Sequence, residues 1–119
     1  MTGFVGNIEE QTLANAFFRQ VIYTGKHAQL VLMSLLPGEE IGMEVHETVD
    51  QFFRIESGKL KFIINGEESE VTDGFAIIVP AGANHNVINM GTELAKLYTI
   101  YSPPNHPPGT VCKTKPTED

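Results

Sequence analysis

The sequence predicts an all-β domain, an antiparallel β-barrel or jelly roll with a short N-terminal helical or irregular segment. Three observations predict it. Residues 17–102 divide into nine short runs rich in β-branched, aromatic and other apolar residues, the composition of strands. Turn formers punctuate them at Pro37-Gly38, Ser57-Gly58, Asn65-Gly66, Asp73-Gly74, Ala81-Gly82 and Met90-Gly91. Apart from the opening segment, no stretch shows the 3.6-residue apolar period of a helix. Many short strands at regular spacing close their edges best as a sandwich or barrel, which can also enclose a small ligand.

The elements follow in order. Glu9 to Asn15 suggests one short helix. The strand runs are 17–24, 28–36, 43–47, 51–57, 59–65, 68–72, 75–80, 85–90 and 95–102. Asn65-Gly66 is the strongest hairpin signal, because a two-residue type I′ turn needs positive φ at both central positions. "VPAGANH" (79–85) fits a type I turn with Pro80 second and Gly82 fourth, after which a strand starts near His85 with Val87 and Asn89 on its face. The tail, 102–119, is rich in proline, which has no N–H to give a ladder. It is expected to lie extended over the barrel or across a partner.

Length and charge bound the function. A chain of 119 residues makes one domain, 1–119. Fifteen acidic against eight basic residues give a net charge of −7, which disfavours nucleic acid and anionic membranes. No apolar run is long enough to span a bilayer, and the N-terminus lacks a basic start and cleavage site. The single cysteine, Cys112, forms no internal disulfide and reads as an incidental tail thiol. The cytoplasm is the expected compartment.

The chemistry concentrates in "GMEVHETVDQFF" (42–53). Residues two apart share a strand face, so Glu44 and His46 point one way and Met43 and Val45 the other. Gln51 lies at an odd interval, but a reversal through "ETVD" would bring it back to the same side. With His85, two imidazoles, one carboxylate and one amide oxygen make a metal shell of nitrogen and oxygen donors. That set suits Mn, Fe, Co, Ni or Zn, and in octahedral geometry it leaves two positions open for substrate. A Glu-x-His pair on a strand is also what a solvent-facing pair looks like, so the spacing alone leaves both readings.

At these residues the sequence resembles the cupin superfamily, in particular its small single-domain bacterial and archaeal members. The first cupin motif, G-x5-H-x-H-x4-E-x6-G, falls on Gly38, Glu44, His46, Gln51 and Gly58 (38–58). The second, G-x5-P-x-G-x2-H-x3-N, falls on Gly74, Pro80, Gly82, His85 and Asn89 (74–89). Glu44 stands where a histidine is usual and Gln51 where a glutamate is usual, so the shell keeps one negative charge. The resemblance implies a divalent metal on Glu44, His46, Gln51 and His85. It also implies a small-molecule substrate, with activities ranging over isomerases, dioxygenases and non-catalytic binding proteins. Glutamine at the place of Gln51 also occurs in small cupins that open unsaturated uronate sugars.

The leading expectation is a metal-dependent enzyme of the isomerase, enolisation or ring-opening type acting on a sugar or other hydroxy-carbonyl compound. Its alternatives are an iron-dependent dioxygenase and a non-catalytic binding module. Glu44 would accept a proton, and Tyr98 or Tyr101 would donate one; at opposite parity, at most one can face the pocket, and Tyr98 is taken as the candidate. His106 is a possible cap on the pocket, and His27 reads as a turn residue. If Gln51 points inward, Phe53 and Ile55 follow it, and Phe52 is left on an outer face suited to a homodimer.

Overall fold

A computed structural model describes residues 2–116; Met1 and the end of the tail, Thr117 to Asp119, lie outside the described residues. The helix, α1 (Ile8–Ala14), starts where the Asn7 side chain accepts the Glu10 N–H at 3.0 Å, satisfying one orphan donor of the first turn. Glu9 and Glu10 complement the positive end of its dipole.

Ten strands follow: β1 (Arg19–Thr24), β2 (Gln29–Leu35), β3 (Glu44–Val45), β4 (Asp50–Ser57), β5 (Leu60–Ile64), β6 (Glu67–Val71), β7 (Ala76–Val79), β8 (Asn84–Asn89), β9 (Ala95–Ser102) and β10 (Val111–Cys112). They form a six-stranded sheet, β10-β1-β2-β9-β4-β7, and a four-stranded sheet, β3-β8-β5-β6. Every pairing is antiparallel. This is the expected antiparallel jelly roll with one short helix. Among the described residues, no helix is long and apolar enough to cross a membrane.

The strand period explains the core. On β4, Gln51, Phe53 and Ile55 are buried while Phe52, Arg54 and Glu56 are half-buried on the outer side. Leu97, Thr99 and Tyr101 on β9 and His85, Val87 and Asn89 on β8 likewise turn inward. Phe53 and Phe62 meet edge to face across the two sheets, with ring centroids 5.0 Å apart, a favoured aromatic geometry. The outer face of the large sheet carries an apolar row instead. Tyr23, Leu30, Ile100, Phe52 and Ile78 are successive register partners across β1, β2, β9, β4 and β7.

Turn chemistry places the strands. Asn65 and Gly66 both have positive φ (49° and 82°), the requirement of the I′ hairpin. Gly58 closes the β4–β5 turn at φ +125°, and a Cβ there would lie 2.9 Å from Ala95 Cα. Gly58→Ala therefore combines backbone strain with a clash against main chain, and should lower stability by about 2–4 kcal/mol. Urea unfolding would show this as a lower midpoint at unchanged slope; an unchanged midpoint would refute the packing described.

Two expectations about loops need correction. The tail does enter a ladder: Val111 and Cys112 pair with Gln20 and Arg19 of β1. Residues 109–115 are free of proline, so this stretch can run beside β1, where Thr110 O accepts the Val21 N–H (2.9 Å) and Lys113 O the Phe18 N–H (3.2 Å). The turn before β8 is also displaced by one residue. The Ala83 N–H donates to Pro80 O at 3.1 Å, so Pro80 is first and Gly82 third. Gly82 has φ +87° there, a conformation that disfavours any residue with a Cβ.

Candidate metal centre

Glu44 on β3 and His85 on β8 are direct register partners, so their side chains share a face across the ladder. His46, two residues beyond Glu44, returns to that face as β3 ends. His46 Nε2 lies 3.4 Å and His85 Nε2 3.8 Å from Glu44 Oε1. One ligating atom from each of the three lies within 4.8 Å of the others, so the group could hold a metal ion.

The "ETVD" reversal then hands the chain from one sheet to the other. β3 belongs to the small sheet and β4 to the large one, and the turn at residues 47–48 joins them. It is braced by the 80–83 turn. Gly82 N–H donates to His46 O and Ala81 N–H to Asp50 Oδ1, both at 2.8 Å. Gln51 thus faces inward from the large sheet, 2% exposed. Its Nε2 donates to Thr99 Oγ1 at 3.0 Å, which fixes the amide orientation. Thr99 is a residue that sequence reading did not single out.

Among the described residues, the donor atoms lack hydrogen-bond partners beyond the approach of His46 Nε2 to Glu44. His46 Nε2, both ring nitrogens of His85 and Gln51 Oε1 are buried without a hydrogen bond. Leaving such atoms unsatisfied is unfavourable by about 1–3 kcal/mol each. A divalent ion takes imidazole nitrogen and carboxylate oxygen, so one held by Glu44, His46 and His85 would satisfy one ring nitrogen of each imidazole.

Electrostatics match. Burial works to raise the Glu44 pKa, but the polar contact and charge of His46, then His85 and Arg19, outweigh it and hold the carboxyl below its ordinary range. His85 is shifted down, chiefly by burial, so its imidazole stays neutral. An ionised carboxylate and a neutral imidazole are the ligating forms.

Of the two tyrosines, the structure brings Tyr101 to the site and not Tyr98. The Tyr101 ring is 5.8 Å from that of His46, and its hydroxyl is 3.2 Å from His106 Nε2. Burial raises the Tyr101 pKa far above the usual phenol range. Tyr98 points to the outer face, its ring 6.2 Å from Phe52, and so stands apart from the proton-donor role expected of it. His27 is exposed beside β2.

His106 is a pocket residue held in place. The fully buried Gln29 accepts the N–H groups of Asn105 (3.0 Å) and His106 (2.9 Å), and donates to His106 O at 2.7 Å. Burial, and then the charge of Arg19, pull its pKa down to about 4. A cavity of about 250 Å³ opens over the site, lined by Phe18, Arg19, Ile41, Glu44, His106 and Lys115 among others. A larger groove of about 360 Å³ lies between β6 and β7, away from the ligating side chains. Arg19 and Gln29 escaped sequence reading. A polar Gln29 heading the apolar run 29–35 was the only signal.

A family model described as the cupin domain matches residues 31–101. The chain is 53% identical over 119 residues to the uncharacterized protein YrkC of Bacillus subtilis (strain 168), an alignment covering 94% of this chain. It spans 63% of the length of YrkC. The crystal structure of BH2720 from Bacillus halodurans superposes with a TM-score of 0.93 at 47% identity, covering 94% of this chain and 89% of that one. KdgF from Halomonas sp., at 18% identity and a TM-score of 0.69 over 73% of this chain and 78% of that one, shares the fold alone.

Proposed function

Because the chain belongs to the cupin family, we propose that it holds one divalent metal ion on Glu44, His46, His85 and Gln51. With that ion it would carry out isomerase-like proton transfer on a small hydroxy-carbonyl compound such as a sugar. The observation that supports this most is the pair of buried nitrogens, His46 Nε2 and His85 Nε2, 3.4 and 3.8 Å from one carboxylate, with the unpaired Gln51 Oε1 buried on the other sheet.

The ion, when bound, supplies Lewis-acid polarisation of a carbonyl, which acidifies the neighbouring C–H. The protein's own groups do the rest. Glu44, held ionised, is the proton acceptor at the cavity floor. Tyr101, whose ring is 5.8 Å from that of His46 and whose hydroxyl is 3.2 Å from His106 Nε2, is the proton donor by position. Phe18 and Ile41 on the cavity wall limit access of water.

The test is deuterium incorporation. Chelator-treated protein is loaded with Mn, Fe, Co, Ni or Zn in turn and incubated in D2O with a panel of aldoses, ketoses and uronates. Proton NMR should show exchange at the carbon beside the carbonyl, dependent on metal and absent in His46→Ala. Oxygen consumption by the iron form without exchange would instead assign a dioxygenase. Tight ligand binding without exchange or oxygen uptake would assign a binding module.

The assembly we propose is a homodimer through the apolar row centred on Phe52 and Ile100, where Ile78 is 66% exposed. Light scattering at micromolar concentration should give twice the chain mass, and Phe52→Glu should restore the monomer. A monomeric wild type would overturn this.

A further inference from the structure

We propose that the cavity over Glu44 is an anion-binding site in which Arg19 grips a carboxylate or phosphate on the ligand while the rest of the ligand reaches toward Glu44, His46 and His85. The inference deepens the metal-site reading and rests on it for the position of the ligand's other end.

Among the described residues, Arg19 has no partner of the kind a half-buried guanidinium needs. Its Nε is buried without a hydrogen bond. Its Nη1 reaches only Cys112 Sγ at 3.8 Å, a weak acceptor. Among the described residues it makes no ion pair; the pairs there involve His46, His85, Arg54 and Lys61. Its Cζ also lies 5.1 Å from the Phe18 ring centroid, a cation–π contact. Five donors in a rigid fork, mostly unspent, form a receptor for a planar or tetrahedral oxyanion.

Placement gives those donors a purpose. Arg19 lines the same cavity as Glu44 and His106. Its charge is felt at Glu44, Tyr101 and His106, yet among the described residues no carboxylate closes on it. Arg19 and Glu44 share the 250 Å³ cavity. That is somewhat below the roughly 300–1,000 Å³ of ordinary ligand pockets, so the ligand is small. Both sides are fixed. Arg19 is anchored between β2 and β10 through Met33 and Cys112, and Gln29 clamps the segment carrying His106. Lys115 lines the same cavity as a second cation.

Net charge sharpens the point. In a chain of net charge −7, these cations are a local exception rather than part of a basic surface. Glu44 alone would repel an incoming anion. A cation held beside Glu44 removes that repulsion, so anion and metal should each tighten the other.

Calorimetric titration of the full chain, metal-free and metal-loaded, tests this with glycolate and its neutral isostere glycolamide, and with glycerol phosphate against glycerol. The anionic probe of a pair should bind at least about tenfold more tightly than its neutral partner, and Arg19→Gln should weaken it by about 10- to 100-fold. Lys115→Ala, outside any strand, should weaken it less and serves if Arg19→Gln does not fold. Preference for glycolate assigns a carboxylate and preference for glycerol phosphate assigns a phosphate; either supports the inference. Equal binding of charged and neutral probes, or no binding of any probe at millimolar concentration to metal-loaded protein, overturns it. Anion binding in protein that takes up no metal would leave Arg19 in place and defeat the metal-site reading instead.

Discussion

His46→Ala is expected to fold as the wild type does and to lose metal affinity by more than about 100-fold. In the metal-free protein the imidazole contributes packing and a 3.4 Å polar contact with the partly exposed Glu44, a contact of modest worth. In the loaded protein its loss removes one of two nitrogen donors. Two measurements separate these effects. Without metal, the unfolding midpoints of variant and wild type should nearly coincide. With metal added in excess, the wild type should gain stability by mass action, about 4 kcal/mol at a thousandfold excess over its Kd, and the variant should gain almost none. Equal stabilisation of both proteins would mean that the ion binds elsewhere.

Phe53→Ala should be among the most destabilising single changes, at about 3–5 kcal/mol. Phe53 is fully buried at the centre of the core. Its ring meets Phe62 at 5.0 Å and His85 at 6.3 Å. Truncation leaves a cavity that the two sheets cannot close, and it removes the surface against which His85 is held. Against a total stability of about 5–15 kcal/mol for a domain of this kind, such a loss shows readily in urea unfolding. Phe52→Ala, one residue earlier and on the outer face, should change the stability of the monomer by about 1 kcal/mol or less. Similar losses at both positions would contradict the alternation on which the site depends.

How far the site was legible follows from the same alternation. Glu44 and His46 share a face by period alone. The spacing to His85 through a Pro-Gly turn places a third group opposite them, although the turn itself sits one residue later than expected. Gln51 could be recovered only by assuming a reversal at "ETVD", and that reversal turns out to be the crossing between sheets. The strand order was beyond local pattern, because it depends on which distant runs pair.

The tyrosines mark the limit of strand parity. Parity states that Tyr98 and Tyr101 face opposite sides but does not say which side is inner. Thr99 inside and Ile100 outside invert the usual hydrophobic signal. Thr99 is inside because its hydroxyl accepts from Gln51, so the polar site itself inverts the pattern. Lys96, on the face of Tyr98, was the one local pointer to the outside. Arg19 was invisible for a different reason. The cavity that gives it meaning is assembled from residues 18, 19, 41, 44, 106 and 115, which only the closed jelly roll brings together. The tail ladder is likewise two residues long and exists only because β1 offers it an edge.

The central claim is that Glu44, His46, His85 and Gln51 form one metal site. Elemental analysis of the protein purified without chelators and without a histidine tag, beside His46→Ala and His85→Ala prepared identically, tests it most directly. The account predicts close to one divalent ion per wild-type chain and only trace metal in either variant. Trace metal in the wild type even after incubation with each candidate ion, or equal content in all three proteins, would contradict it.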